Sequence, residues 1–378
     1  MSLQWTVRNV RPMGRPVDLA IVGCGAVVET KYRVALARLE SRGIARVAAL
    51  VDPNPERMAA LKRHFPSAKT FAALGDAFAD VTPALTVVTS PPARHAEHTL
   101  AAIDAGSHVL CEKPMAVASY DAERMVAAAQ VNRRVLAIGM LRRLYPGLAD
   151  ARALLATGAL GDDVRFIYRE GSVYNWPVKT DAPFRRATAG GGVLIDFGSH
   201  ALDLLSALFG TPSVTAYEDD ALADGVEANC RIGLAFPRAS GTAQLSWTQP
   251  LATELRVAGT HGELILRPST LEPLRWRRRA GSWEVGSHAA TWPLDLLTQG
   301  PRGAPRTDYD CFYFQLVQTL RAIAHGEPVP ATGEQGLAIV RAIETCYQRA
   351  TPLRLPWLTA TEQSALDARH WSRRWAAA

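Results

Sequence analysis

Between Val17 and Gly139, short runs rich in Val, Ile and Leu alternate with segments of helical periodicity, and this alternation constrains the fold more than any other feature. Strands are expected at 17–22, 47–51, 85–89, 108–111 and 135–138. Helices are expected at 29–41, 55–64, 95–105 and 119–130, the third ended by Gly106 and the last capped by Ser119. Strands joined by helix-sized crossovers pair in parallel, so this half reads as an α/β doubly wound parallel sheet, which takes ligands at the carboxyl ends of its strands.

After Tyr145-Pro146 the rhythm changes. A helix at 148–157 stops at Gly158, and β-like runs follow at 164–170, 213–218, 228–236, 241–247, 254–259 and 263–266. Turn chemistry such as Thr260-His-Gly262 between them predicts antiparallel hairpins. Further helices are expected at 193–209, 309–325 and 334–350. The 378 residues exceed what one hydrophobic core usually organises, and two domains are expected, 15–140 and 141–378.

Composition removes several classes. Hydrophobic residues make up 48% and charged residues 21%, which fits a packed globular protein. The net charge of +6 is small for this length, and the basic cluster Arg275-Trp-Arg-Arg-Arg279 falls in an expected hairpin around Ala280-Gly-Ser282, so no nucleic-acid partner is expected. No apolar run reaches the roughly 18 residues that span a bilayer, and no basic-then-apolar leader precedes Arg15. The expected location is therefore the cytoplasm, without membrane association. Five cysteines without metal-ligand spacing read as reduced, buried thiols, and no metal is expected.

Four motifs carry chemistry. Gly23-Cys-Gly25 lies between the first strand and first helix, where bare backbone lets a pyrophosphate approach the helix N-terminus, although Val28 replaces the usual third glycine. Asp52 ends the second strand, where a carboxylate accepts the ribose hydroxyls and repels a 2′-phosphate. NAD is thereby favoured over NADP, with Arg57 close enough to keep NADP open. Cys111-Glu-Lys-Pro114 ends another strand and sets Lys113 where a nicotinamide would lie. Finally, Gly190-Gly-Gly-Val-Leu-Ile-Asp196 runs on to His200 and Asp203, spacing Asp196 and His200 four apart on one helix face, with Asp203 near His200.

Together with Thr89-Ser-Pro-Pro92, His95, Arg142-Arg-Leu-Tyr-Pro146 and Gly158-Ala-Leu-Gly161, these segments resemble the Gfo/Idh/MocA family of nicotinamide-dependent oxidoreductases, from about Val17 to Ala350. The resemblance implies an N-terminal Rossmann domain and a C-terminal α/β domain with a large, mainly antiparallel open sheet that makes homodimers or homotetramers. It implies that Lys113, Asp196 and His200 act on substrate, with Asp196 orienting His200, and that Gly23, Gly25, Ala26, Val27, Asp52, Pro91, Pro92, His95 and Glu112 face the cofactor.

The expected reaction is reversible oxidation of a secondary alcohol on a sugar, cyclitol or related polyol. Two alternatives stand beside it: an NAD-dependent glycoside hydrolase of the same fold, and a non-catalytic sugar or nucleotide sensor. For substrate contacts, Tyr174, Trp176 and Arg185 lie in a loop-like stretch before the glycines, while Arg143 and Tyr145 sit at the domain junction.

Overall fold

The computed structural model describes residues 15–177, 181–221, 225–286, 307–354, 359–361, 363–364 and 368. The end of the second expected domain, towards 378, lies outside the described residues. The first lobe is a parallel sheet of β1 (Val17–Val22), β2 (Ala45–Val51), β3 (Lys69–Phe71), β4 (Leu85–Val88), β5 (His108–Cys111) and β6 (Leu136–Ile138). Their order is β3-β2-β1-β4-β5-β6, so the chain reverses direction across the sheet between β1 and β4. The crossovers are α1 (Arg33–Ser41), α2 (Pro55–Lys62), α3 (Leu74–Asp80), α4 (His95–Asp104) and α5 (Ser119–Val131).

The three-residue β3 and the helix after it escape sequence reading because Lys69 and Thr70 are exposed and give no alternation. Ser119 does not cap α5. Ala118 holds the N-cap position, and the Ser119 backbone N–H donates instead to Glu344 Oε1 at 2.7 Å, so a neighbouring helix satisfies this helix end.

After α6 (Pro146–Ala156) come β7 (Val164–Gly171), the short α7 (Arg186–Ala189), α8 (Ser199–Phe209), β8 (Ser213–Asp219), β9 (Asn229–Phe236), β10 (Ala239–Ser246), β11 (Leu251–Ala258), β12 (Gly262–Leu266), β13 (Arg275–Arg278) and β14 (Glu284–Val285). Then follow α9 (Asp308–His325), α10 (Gly333–Gln348) and β15 (Ala350–Pro352). A nine-stranded sheet forms in the order β14-β13-β12-β11-β7-β10-β9-β8-β15. Only β7–β10 and β8–β15 pair in parallel, so the second lobe is the mainly antiparallel sheet that was expected. Along β7, buried Phe166, Tyr168 and Glu170 alternate with exposed Arg165, Ile167 and Arg169, which leaves one face of this strand open.

Among the described residues one helical stretch, Arg186–Phe209, is apolar and long enough by composition to cross a membrane, although no such run stood out in the sequence. In its most apolar window 61% is buried within the protein, so it serves as a core helix. The chain also returns to the first lobe late. Helix α9, capped by Thr307 in a capping box with Asp310, buries Cys311, Leu316 and Leu320 in one cluster with Leu19, Ile21, Leu36 and Leu110. Beyond it, Ala331 accepts a hydrogen bond from Ile138 N at 3.0 Å and so covers the edge of β6. Leu316→Ala is expected to lower stability by about 2–5 kcal/mol, read as a lower denaturant midpoint, since Leu316 is fully buried between α9 and the first sheet.

Candidate active site

The turn after β1 is built for close approach. Gly23 has φ +95°, and a Cβ there would lie 2.5 Å from Ser90 N on the neighbouring loop. Gly23 N donates to Val51 O at 2.8 Å, while Thr89 donates its N–H to Val22 O at 2.8 Å and its hydroxyl to Gly23 O at 2.6 Å, which locks the two loops at the crevice where the sheet reverses. Gly25 differs: a Cβ there would meet nothing within 4 Å, so its bare backbone borders open space. Val28 is fully buried in the first core, so packing fills the place of the missing third glycine, and the helix opens with a π turn over Val28–Tyr32 before α1.

Asp52 is 4% exposed, and its carboxylate accepts from Cys24 N and Asn54 N, both at 2.8 Å. Asn54 caps α2 by accepting from Glu56 N and Arg57 N, which frees Asp52 from that task. Arg57 Nη1 stands 3.9 Å from Asp52 Oδ2. A buried carboxylate hydrogen-bonded to a glycine turn, both at the edge of one cleft, fits the adenosine half of a pyridine dinucleotide.

At the end of β5, Lys113 Nζ donates to Asp196 Oδ1 at 2.7 Å and to Asp196 O at 3.1 Å, bridging the two lobes. Asp196 Oδ2 accepts from Trp247 Nε1 at 3.2 Å. His200 lines the same cleft, but no hydrogen bond joins it to Asp196 among the described residues, contrary to expectation. The i, i+4 argument assumed α-helical stacking. Leu194–Gly198 instead forms a π turn, and the Lys113 ammonium takes the carboxylate. Nδ1 of His200 is buried without a partner among the described residues. Burial, with the charges of Arg142 and Lys113 adding to it, holds its imidazole well below the ordinary range, so the ring is neutral.

Glu112 accepts from Tyr32 Oη at 2.7 Å and from Lys113 N at 3.0 Å, and burial pushes its pKa up. His95 is buried with Nδ1 2.8 Å from Pro114 O and Nε2 2.7 Å from Ser90 O. Burial lowers its pKa to about 4, so a neutral ring donates to one carbonyl at a time and ties the Ser90 loop to the Lys113 loop. Gly23, Gly25, Ala26, Val27, Asp52, Pro91, Pro92, His95 and Glu112 all line one cleft with Lys113, Asp196 and His200. Its volume is about 610 Å³.

Two expected substrate residues are not brought there. The Arg143 guanidinium is held by Asp203 at 2.6–3.0 Å and by Pro330 O and Gln335, so Arg143 and Asp203 tie α8 to the approach to α10 and neither serves His200. Arg185 is exposed and pairs with Asp181 four residues earlier. Tyr145, Tyr174 and Trp176 do line the cleft.

Sequence reading missed Arg142, which lines the cleft in place of Arg143 and donates to Glu170 at 2.6 and 2.7 Å and to Tyr168 Oη at 3.1 Å. It also missed Trp247, packed edge-on to Tyr174 at 4.9 Å. The alternation of β7, which turns Glu170 inward, is the one signal that pointed to a buried partner for an arginine.

A Rossmann-type sheet whose carboxyl edge opens onto a second, open-sheet lobe defines a class of two-lobed dinucleotide-binding proteins. Residues 17–140 match the family model described as an oxidoreductase family with an NAD-binding Rossmann fold, and residues 148–265 match the GFO/IDH/MocA C-terminal domain. The chain belongs to the Gfo/Idh/MocA family.

Among its relatives, D-glucoside 3-dehydrogenase of Escherichia coli K12 is 32% identical over 203 residues, 53% of this chain and 56% of that protein. The NADP-linked scyllo-inositol 2-dehydrogenase of Bacillus subtilis is 34% identical over 157 residues, 41% of this chain and 43% of its own length. The chain thus spans about half the length of the first curated relatives it matches. A solved levoglucosan dehydrogenase bound to NADH and levoglucosan shares the fold, with a TM-score of 0.76 at 19% identity over 88% of this chain and 97% of that one.

Gly23→Ala is expected to cost stability and abolish dinucleotide binding together, because the new methyl meets the Ser90 backbone, which cannot rotate away. Calorimetric titration with NADH at a temperature where the variant is folded checks the binding half.

Proposed function

We propose that this protein is an NAD-dependent dehydrogenase that oxidises a secondary hydroxyl of an uncharged sugar, cyclitol or related polyol. The observation that carries this reading is the meeting of Lys113, Asp196 and His200, drawn from both lobes, in the cleft that also holds the glycine turn and Asp52. Nicotinamide, when bound, supplies the hydride acceptor. Lys113 points its ammonium at the substrate oxygen, and Asp196 fixes that ammonium. His200 is the uncharged base beside it and takes the hydroxyl proton as the C–H hydride leaves.

Charge supports the neutral substrate. Each of the four cationic side chains lining the cleft among the described residues faces a carboxylate: Lys31 faces Asp308, Arg57 Asp52, Lys113 Asp196 and Arg142 Glu170. A phosphate or carboxylate on the substrate would compete with these partners, whereas hydroxyls share them. Tyr174, Trp176 and Trp247 supply flat apolar surface for the faces of a sugar ring. Asp52 favours NAD over NADP by accepting ribose hydroxyls.

A screen of sugars, inositols and sugar acids for NAD reduction at mildly alkaline pH tests the reading, and turnover confined to anionic substrates would overturn the neutral class. Lys113→Ala is expected to lower kcat/KM by about 100-fold or more while dinucleotide affinity holds. Asp52→Ala is expected to weaken NAD far more than NADP, checked by titrating each into the apo-protein.

A further inference from the structure

The glycine-rich segment that presents Asp196 and His200 is held from below by one residue outside every motif discussed above. Glu227, fully buried just ahead of β9, accepts at Oε1 from Gly192 N at 2.9 Å, Leu194 N at 3.0 Å and Tyr347 Oη at 2.9 Å. Its backbone carbonyl accepts from Val193 N at 2.9 Å. Three consecutive N–H groups, which open the helical segment, are thus satisfied by a single side chain and its own peptide.

The glycines are required by the same contacts. A Cβ at Gly192 would overlap the Glu227 carbonyl, and one at Gly191 would overlap the Tyr347 hydroxyl. The turn is coupled onward, since Asp196 N donates to Gly192 O at 3.0 Å.

We propose that Glu227 is a positioning residue for the reaction, its ionised carboxylate drawing Gly192 and Leu194 into the arrangement that delivers Asp196 to Lys113 and His200 to the cleft. An ionised oxygen accepts N–H hydrogen bonds about twice as strongly as a neutral one, so a proton on Glu227 loosens the turn. The groups facing it are acidic or neutral. Asp219 and Tyr217 come from β8, Cys230 from β9, and Tyr347 and Cys346 from α10. Of the cations beyond these groups, Arg186 lies over the Tyr347 ring, 4.6 Å from its centroid, and Arg349 acts on Cys346. Glu227 Oε2 is buried with no partner among the described residues. Burial and the nearby Asp219 push the carboxyl up to about 7, while the bonds from Leu194 and Tyr347 oppose the rise.

The test pairs a pH–rate profile, which rests on the dehydrogenase reading, with a measurement that does not. In wild type, kcat/KM for NAD reduction is expected to fall about tenfold from pH 8 to pH 6. Glu227→Gln, which carries the neutral acceptor at every pH, should run near the acid-limb rate of wild type with less than twofold change over that range. An acid limb retained in Glu227→Gln, whatever its rate, overturns the proposal. Should that variant fail to fold, Tyr347→Phe serves. Loss of its hydroxyl should move the limb to higher pH, and a limb at the wild-type position overturns the proposal.

Independently of any substrate, amide exchange of the 190–200 segment, corrected for intrinsic rates, should be faster at pH 6 than at pH 8 in wild type and equal at both in Glu227→Gln. Equal protection in wild type overturns the proposal even if the enzyme is active. The expected contrast in exchange with no turnover on any polyol sustains the role of Glu227 in holding the turn and faults only the dehydrogenase reading.

Discussion

The ion pair between Lys113 and Asp196 is the contact on which the site depends. It joins the carboxyl end of a strand in one lobe to a π turn in the other at 2.7 Å. Asp196 is more than a third exposed, so solvent screens the pair and its contribution to stability is small. Its contribution is geometric. The lysine donates to both the side chain and the backbone carbonyl of Asp196, and Trp247 holds the remaining oxygen, so the ammonium has little freedom to swing out of the cleft.

Around that pair the cleft balances its charges in couples. Arg142 and Glu170 form a two-pronged buried pair, satisfied further by Tyr168, and burial first, then the charges of Arg142 and Lys113, push the neighbouring imidazole well below its ordinary range. His200 therefore faces the cleft uncharged, a state that burial favours and that Arg142 and Lys113 reinforce. In the reaction proposed above, His200 accepts the proton and Lys113 stabilises charge, and that division of labour would be the chemical reason for having both.

Much of this was legible in the amino-acid sequence because the first lobe repeats one local rule. The alternation of apolar strands and helices located β1, β2, β4, β5 and β6, and the motifs at Gly23, Asp52 and Lys113 sit at carboxyl ends of those strands. What escaped had long-range causes. Arg142 and Arg143 are neighbours of identical type, and only the positions of Glu170 and Asp203 in the folded chain decide which enters the cleft. The link from Asp196 to His200 was misjudged because a π turn cannot be told from an α turn by residue spacing. Glu227 gave no signal, since its partners are backbone N–H groups some thirty-five positions away and the hydroxyl of the distant Tyr347.

The position of α9 has a consequence for dissection of the molecule. This helix, contributed by residues 308–325, covers apolar side chains of a sheet encoded far earlier in the chain, Leu19 and Ile21 among them. A fragment cut at Gly139 would keep every strand of that sheet and the glycine turn, yet leave Leu36, Leu110 and their neighbours facing water. The nucleotide half of this chain is thus no autonomous module: gene shuffling or truncation that moves it without its distant lid would yield a sticky, self-associating piece.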